Sequence, residues 1–331
     1  MTSLIIESLA ISICLLFGCV GEIITEKSGH LNLGIPGIMC IGTAGGCFGV
    51  VLYMSAAGTS ASAFFAILCA ILMSALFSAA LGAIYCFLTV TLKCNQNITG
   101  LAVTTFGVGF TEFFRNEVIK QINPSYQVNL SQAAKFFDHL FPEPFYSDTG
   151  VLGWLGQVFL SHGFMFYFAI IIAIAVAVIL KHTRIGLNLT AIGENPAAAD
   201  AVGINVTKYK YAAILSGSAI AGFGGLYYIL DKIGGTWSNS SPIEGYGWMS
   251  IALVIFTLWR PILSIFGSII FSALYIVAVK ITGVSIVEKM LLQELTPYVV
   301  TIIVLIITSV FGSKNVQPPK SLGLTYFREE R

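Results

Sequence analysis

The chain has 331 residues, of which 56% are hydrophobic and 10% charged, and its formal net charge is +1. A soluble domain carries about 25% charged residues, so this composition excludes one and fits an all-α polytopic membrane protein. The near-zero charge gives no sign of nucleic acid as a partner; the charges carry meaning only by position.

Taken in chain order, apolar stretches long enough for about 30 Å of hydrocarbon lie near 3–21, 34–54, 62–90, 97–114, 162–180, 209–230, 244–259, 261–283 and 291–312. That predicts about nine transmembrane helices, within a range of about 8–10. The first is read as a span and not as a removed signal peptide, because it lacks a basic n-region and a cleavage site. The third exceeds one bilayer crossing, the fourth and seventh are short, and Arg260-Pro261 makes a tight turn between the seventh and eighth. Cys14, Cys19, Cys40, Cys47, Cys69, Cys86 and Cys94 lie in or beside the early apolar segments without C-x-x-C spacing. They read as small buried hydrophobes.

Lys and Arg in short loops mark the cytoplasmic side. Lys93, Lys181, Arg184, Lys208, Lys210, Arg260 and the tail cations Lys314, Lys320, Arg328 and Arg331 fall on one side of a nine-span chain. The chain then forms a single transmembrane domain, 1–331, with a cytoplasmic loop at 181–208, an extracytoplasmic segment at 115–161 and a cytoplasmic tail at 313–331. The segment at 115–161 mixes Arg115, Lys120 and Lys135 with Glu117, Asp138, Glu143 and Asp148, so it counts little toward orientation. The N-terminus is placed outside.

Two segments would break helices. Residues 21–46 contain Gly29, Gly34, Pro36 and Gly37, and Pro36 suits the first turn of the following span, where its missing N–H costs little. Residues 234–250 are again polar and rich in Gly and Pro, and feed a short apolar helix. The two breaks open from opposite sides, as an inverted repeat produces, and such interruptions point to a transport pathway. The alternative reading is a pair of ordinary surface loops with capping residues. His30, Asn32, Gly34, Gly37, Glu244, Tyr246 and Trp248 are the pathway candidates. The imidazole and the amide both donate and accept hydrogen bonds, which suits an uncharged polyhydroxylated substrate. Glu7 and Glu112 are intramembrane acids, and so candidates by default.

The loop from Arg184 to Asp200 is longer than a reversal of direction needs. Gly193-Glu194-Asn195-Pro196 is a turn followed by an alanine-rich stretch, with Pro at a first helical position. This loop is a candidate docking surface for a soluble partner.

Three stretches carry a resemblance: Thr25-Glu-Lys-Ser-Gly-His-Leu-Asn-Leu-Gly-Ile-Pro-Gly-Ile-Met39, Gly186 to Asn205, and Gly245-Tyr-Gly-Trp-Met-Ser-Ile-Ala-Leu-Val-Ile-Phe-Thr-Leu-Trp-Arg-Pro261. They resemble the permease subunits of bacterial ABC importers of the branched-chain amino acid and simple-sugar (ribose) type. Within that group the chain looks like the nucleoside-uptake branch, which works with a basic-membrane-protein lipoprotein. The second stretch is the most specific. Departures are Pro36 for Glu, Thr190 for Arg, Tyr246 for Arg and Thr257 for Gly.

The resemblance implies that Gly193, Glu194, Asn195, Pro196, Ala197, Ala198, Asp200 and Ala201 form a coupling helix seated in a groove of a cytoplasmic ABC ATPase. Ala197, Ala198, Ala201 and Val202 would enter the groove, with Glu194 and Asp200 at its rim. It also implies a second homologous permease subunit in a heterodimer, an extracytoplasmic substrate-binding lipoprotein, and the bacterial plasma membrane. The chain has no G-x-x-x-x-G-K-[ST] motif, so ATP and Mg belong to the partner, and this chain is expected to bind no cofactor or metal. Alternatives are import of a simple sugar or a riboflavin-like metabolite and, from another class, ion-coupled secondary transport.

Overall fold

The computed structural model describes residues 2–138, 140–141, 151–280, 285–311 and 317–327. Lys314, Arg328, Arg331, Glu143 and Asp148 lie outside the described residues, as does the far end of the stretch at 261–283. The described residues are helical, without strands.

The helices are α1 (Thr2–Lys27), α2 (Ile35–Ala57), α3 (Ala63–Cys86), α4 (Gln96–Phe113), α5 (Lys120–Ile122), α6 (Tyr126–Phe137) and α7 (Val151–Phe159), followed by α8 (Phe164–His182), α9 (Arg184–Glu194), α10 (Pro196–Ala201), α11 (Val206–Tyr227), α12 (Ser241–Phe256), α13 (Pro261–Lys280) and α14 (Ile286–Phe311). Each expected span falls on one of them: α1, α2, α3, α4, α8, α11, α12, α13 and α14 in order. Among the described residues, five are long and apolar enough to cross a membrane: α1, α2, α3, α8 and α11, the third and fifth with the π-helical turns that extend them.

The turns sort into two ends. Gly29 abuts Gly193 and Ser321, and Gln96 donates to the Leu324 carbonyl, so the α1–α2 link, the start of α4, the α8–α11 region and the tail share one end. Lys27, Lys93, Arg184, Lys208 and Lys320 cluster there, and it is called the basic end below. The α11–α12 link packs on α6 and the far end of α4 at the opposite end.

Helix pairing shows a two-fold exchange. α1 packs on α11, α12 and α13, while α11 packs on α1, α2 and α3. At the centre, a Cβ on Gly21 would meet the Gly217 carbonyl, and a Cβ on Gly217 would meet that of Gly21. Swapping the α1–α2–α3 run for the α11–α12–α13 run leaves these pairings in place while reversing helix direction, the mark of an inverted repeat. Lipid offers no hydrophobic drive for helix association, so close approach at small residues supplies the packing. Gly42 against Gly222 and Gly82 against Ser218 are further examples.

α1, α2 and α11 are the buried centre, with Leu15, Ile38 and Leu226 fully inside. Leu72, Leu76, Ile171, Ile302 and Ile306 on α3, α8 and α14 are exposed, which fits a lipid-facing surface. Cys14, Cys19, Cys40, Cys47 and Cys86 are buried thiols; Cys69 and Cys94 are half-buried.

Two regions are more ordered than their sequence suggests. The loop at 181–208 holds two helices, α9 and α10, where only the alanine-rich part signals one. Thr183 caps α9 by accepting from the Gly186 N–H at 3.2 Å. The stretch at 115–161 holds a π-helical extension of α4, then α5, α6 and α7.

Candidate functional site

The first break begins where α1 ends at Lys27. Gly29 has φ +78°, the left-handed region where a Cβ is strained. From there the chain climbs back into the protein without helical hydrogen bonds, and side chains satisfy its backbone. The Leu31 N–H donates to Gln96 Oε1 (2.9 Å), Asn32 N–H to Glu22 Oε1 (3.0 Å) and Gly34 N–H to Asn32 Oδ1 (2.9 Å). Thr104 Oγ1 donates to the Leu33 carbonyl (2.7 Å), and the Tyr85 hydroxyl to that of Leu31.

α2 therefore starts at depth. Gly37 meets Gly107, which stands 11 residues into α4 from Gln96, about 16 Å at 1.5 Å per residue and so near the middle of a bilayer core. Pro36 sits at the start of α2, as its ring requires, against Gly247 in the middle of α12. The structure thus brings the two broken segments together at Pro36 and Gly247.

The candidates divide between two environments. His30, Asn32, Gly34, Gly37 and Tyr246 are buried within the protomer. Both His30 ring nitrogens and Asn32 Nδ2 lack a hydrogen-bond partner among the described residues. Burial, then the nearby Lys210 and Lys93, hold the His30 imidazole well below its ordinary pKa, so it is neutral. Tyr246 packs edge-on against Tyr228 and Tyr275, with centroids 5.4 and 5.8 Å away. Glu244 and Trp248 are half-buried, and nothing packs on Gly245 between them.

At the opposite end, Glu112 and Arg115 fasten the second break. Arg115 Nη2 donates to Glu112 Oε2 (2.5 Å), and Nη1 donates to the Trp237 carbonyl (3.1 Å) and to that of Ser238. Glu112 Oε1 accepts from the Ser240 N–H (2.6 Å) ahead of α12. Gln127 completes the clamp, donating to the Trp237 carbonyl (2.6 Å) and accepting its N–H (3.2 Å). Glu112 is thereby engaged in structure, and Glu7 lies near Lys232 at the same end.

Sequence reading passed over Glu22 and Glu26, whose spacing of four stacks them on one helix face. Both are buried; Glu26 Oε2 accepts from the Trp259 indole N–H in the α12–α13 turn, where Leu258 and Trp259 both have φ +55°. A pair of acids closing an apolar run was the available signal.

At the basic end Asn195 caps α10, its Oδ1 accepting from the Ala198 N–H at 3.0 Å, and Pro196 follows at the helix start. Ala199 is buried with Ile192 and Val206. Glu194, Asn195, Ala198 and Ala201 are exposed, Val202 is 77% exposed, and Pro196 and Ala197 are half-buried. Asp200 turns to the tail, accepting from the Tyr326 hydroxyl at 2.8 Å. Gly193 is the joint: a Cβ there would meet the Lys27 carbonyl, and its own carbonyl accepts from Ser321 N–H (2.9 Å) and Oγ (2.6 Å). The exposed α10 edge, the tail and the first break thus converge on Gly193 and Gly29.

An inverted pair of broken helices meeting at mid-depth, tied to an exposed helix at one end, defines a membrane transport subunit. The sequence model for the branched-chain amino acid transport system / permease component matches residues 4–309, and the chain belongs to that family. It is 32% identical over 325 residues to the nucleoside ABC transporter permease protein NupC of Lactococcus lactis subsp. cremoris (strain MG1363), covering 96% of this chain and 94% of that one. It is 28% identical over 330 residues to the guanosine ABC transporter permease protein NupQ of Bacillus subtilis (strain 168), with the same coverage of 96% and 94%. To the putative glucose ABC transporter permease protein TsgC13 of Haloferax volcanii it is 30% identical over 264 residues, 78% of this chain and 72% of that one. The chain is a multi-pass membrane permease.

Proposed function

We propose that this permease forms the translocation pathway of an ABC importer for nucleosides in a bacterial plasma membrane. The observation that carries the reading is the joint at Gly193, where the last turn of α9, which leads directly into the exposed α10, touches the break that ends α1. The basic end is cytoplasmic, in keeping with the bias of Lys and Arg. Ala198, Ala201 and Val202 enter a groove of a separate ATPase subunit, which holds ATP and Mg, and Glu194 meets a basic group at the rim. Closure of the ATPase pushes α10, and Gly193 passes the displacement to Lys27 and Gly29. The rigid α1–α11 crossing then rocks the two repeats about Pro36 and Gly247. Glu244 and Trp248 face the pathway directly, while His30, Asn32, Gly34, Gly37 and Tyr246 shape it from behind. A second permease subunit completes the membrane pair, and an extracytoplasmic lipoprotein delivers substrate.

The nucleoside assignment rests on the two relatives named for nucleosides and guanosine. The likeness to a putative glucose permease supports a simple sugar as the second reading. Uptake of labelled guanosine and uridine, with and without the gene, tests the choice. Loss of a flux that nucleosides alone compete for supports it; unchanged nucleoside uptake with lost ribose or riboflavin uptake moves the substrate and keeps the class.

A further inference from the structure

At the basic end a cleft of about 690 Å³ opens between the α10–α11 turn, the turn at Lys93 and the tail residues Tyr326 and Phe327. The first turn of α11 lies on its wall: Val206 and Thr207 line the cleft, and Asn205 Oδ1 is spent on the Lys208 N–H at 2.9 Å. The N-terminus of a 22-residue helix is an electropositive end with free N–H groups. The cleft narrows inward to a recess of about 10 Å³ lined by His30, Lys93, Thr207 and Lys210, room for one water or one ligand oxygen.

Two of those side chains are the independent sign of a ligand. Lys210 is 3% exposed and His30 is 2% exposed. Among the described residues Lys210 has no hydrogen bond or ion pair, and neither His30 nitrogen has a partner. Lys93, half-buried at the mouth of the recess, is held at φ +59°, an uncommon conformation for a non-glycine residue. The acid lining the cleft is Asp200, which accepts from Tyr326. Buried positive charge without a counter-ion is costly, and a neutral imidazole can donate one hydrogen bond beside two ammonium groups.

We propose that this cleft binds a phosphate-type anion, with its oxygens on Lys210, Lys93, His30 and the first N–H groups of α11. A nucleotide-sized phosphate ester would lay its organic part toward Tyr326 and Phe327. The same chemistry is offered by a free phosphate ester or by an anionic lipid headgroup. The site borders α10 and the tail, so an occupant touches the segment that carries coupling.

The test uses the full-length chain in nanodiscs of neutral phosphatidylcholine, titrated with inorganic phosphate and with AMP while the unfolding midpoint is followed. Both should raise the midpoint of the wild type. Lys210→Met should weaken apparent affinity by about tenfold, the loss of one charge-assisted hydrogen bond. Lys93→Gln, in a surface turn, carries the test if Lys210→Met fails to fold. A response to phosphatidylglycerol nanodiscs, lost in either variant, with none to phosphate or AMP, supports the site and assigns it to a headgroup. Equal responses in wild type and both variants, or no response to any of the three probes, overturns it; Lys210 then simply extends its ammonium toward water.

Discussion

Gly29→Ala probes the joint with the least chemical change. An alanine at φ +78° costs about 1 kcal/mol for the left-handed backbone. Its Cβ would also collide with Ser321 Oγ. Displacing that hydroxyl breaks its 2.6 Å bond to the Gly193 carbonyl, worth about 1 kcal/mol. Only the Ser321 term favours release of the tail from Gly193, by about 1 kcal/mol, roughly a fivefold shift; the backbone term lowers global stability whether the tail is bound or free. The readout is hydrogen exchange in a peptide covering residues 317–327, with the Ser321 N–H as reporter, alongside substrate moved per ATP hydrolysed in proteoliposomes. Exchange should speed up by about that factor, and transport per ATP should fall. In a Ser321→Ala background the collision is gone, so adding Gly29→Ala should leave tail exchange unchanged and cost only the backbone share of global stability, about 1 kcal/mol. Wild-type exchange and stoichiometry in Gly29→Ala, or equal increments in the two backgrounds, would refute the reasoning.

Four further predictions follow from the site. Glu194→Arg should impair copurification of the ATPase and uncouple hydrolysis from uptake, whereas Asp200→Asn, already held by Tyr326, should bind the ATPase like wild type; the reverse ranking would count against the exposed edge as the contact. Arg115→Met removes the charged donor of Glu112 Oε2 and of the Trp237 and Ser238 carbonyls, leaving Glu112 with the Ser240 N–H and Trp237 with Gln127, so stability should drop by about 2–3 kcal/mol, read as a lower unfolding midpoint; an unchanged midpoint removes the clamp. Asn32→Leu, which loses the acceptor for the Gly34 N–H, should reduce uptake while ATPase assembly persists, and unaltered kinetics across several substrates would exclude a pathway role. His30, neutral when folded, has a pKa below that of the unfolded chain, so the unfolded state binds more protons in acid. Stability should therefore be flat above about pH 6.5 and fall below it; His30→Gln should flatten the acid limb, and an unchanged limb would contradict the assignment.

The spans were legible because runs of about twenty apolar residues have few other uses. Asn195-Pro196 was legible for a local reason, a cap followed by a ring that fits the first turn. Pro36 was equally clear as a helix start, but not that the start lies at mid-depth against Gly107 and Gly247, which needs contacts between segments far apart in the chain. The same holds for the joint of Gly29, Gly193 and Ser321: each glycine is visible, and nothing local says that they touch. α9 escaped because Leu189 and Ile192 bury too little surface to stand out in a polar loop. Glu112 read as an intramembrane candidate; Arg115, three residues on, was a partner within local reach, whereas Ser240 becomes a neighbour only when the second repeat folds back.

The most direct test is ATP-driven uptake of labelled guanosine into proteoliposomes holding this chain, its partner permease and ATPase, with the binding lipoprotein and guanosine outside and ATP sealed in the lumen. Uptake that requires ATP, persists without an ion gradient, and is lost in Glu194→Arg is the result expected. Uptake that follows an ion gradient and ignores ATP would contradict it.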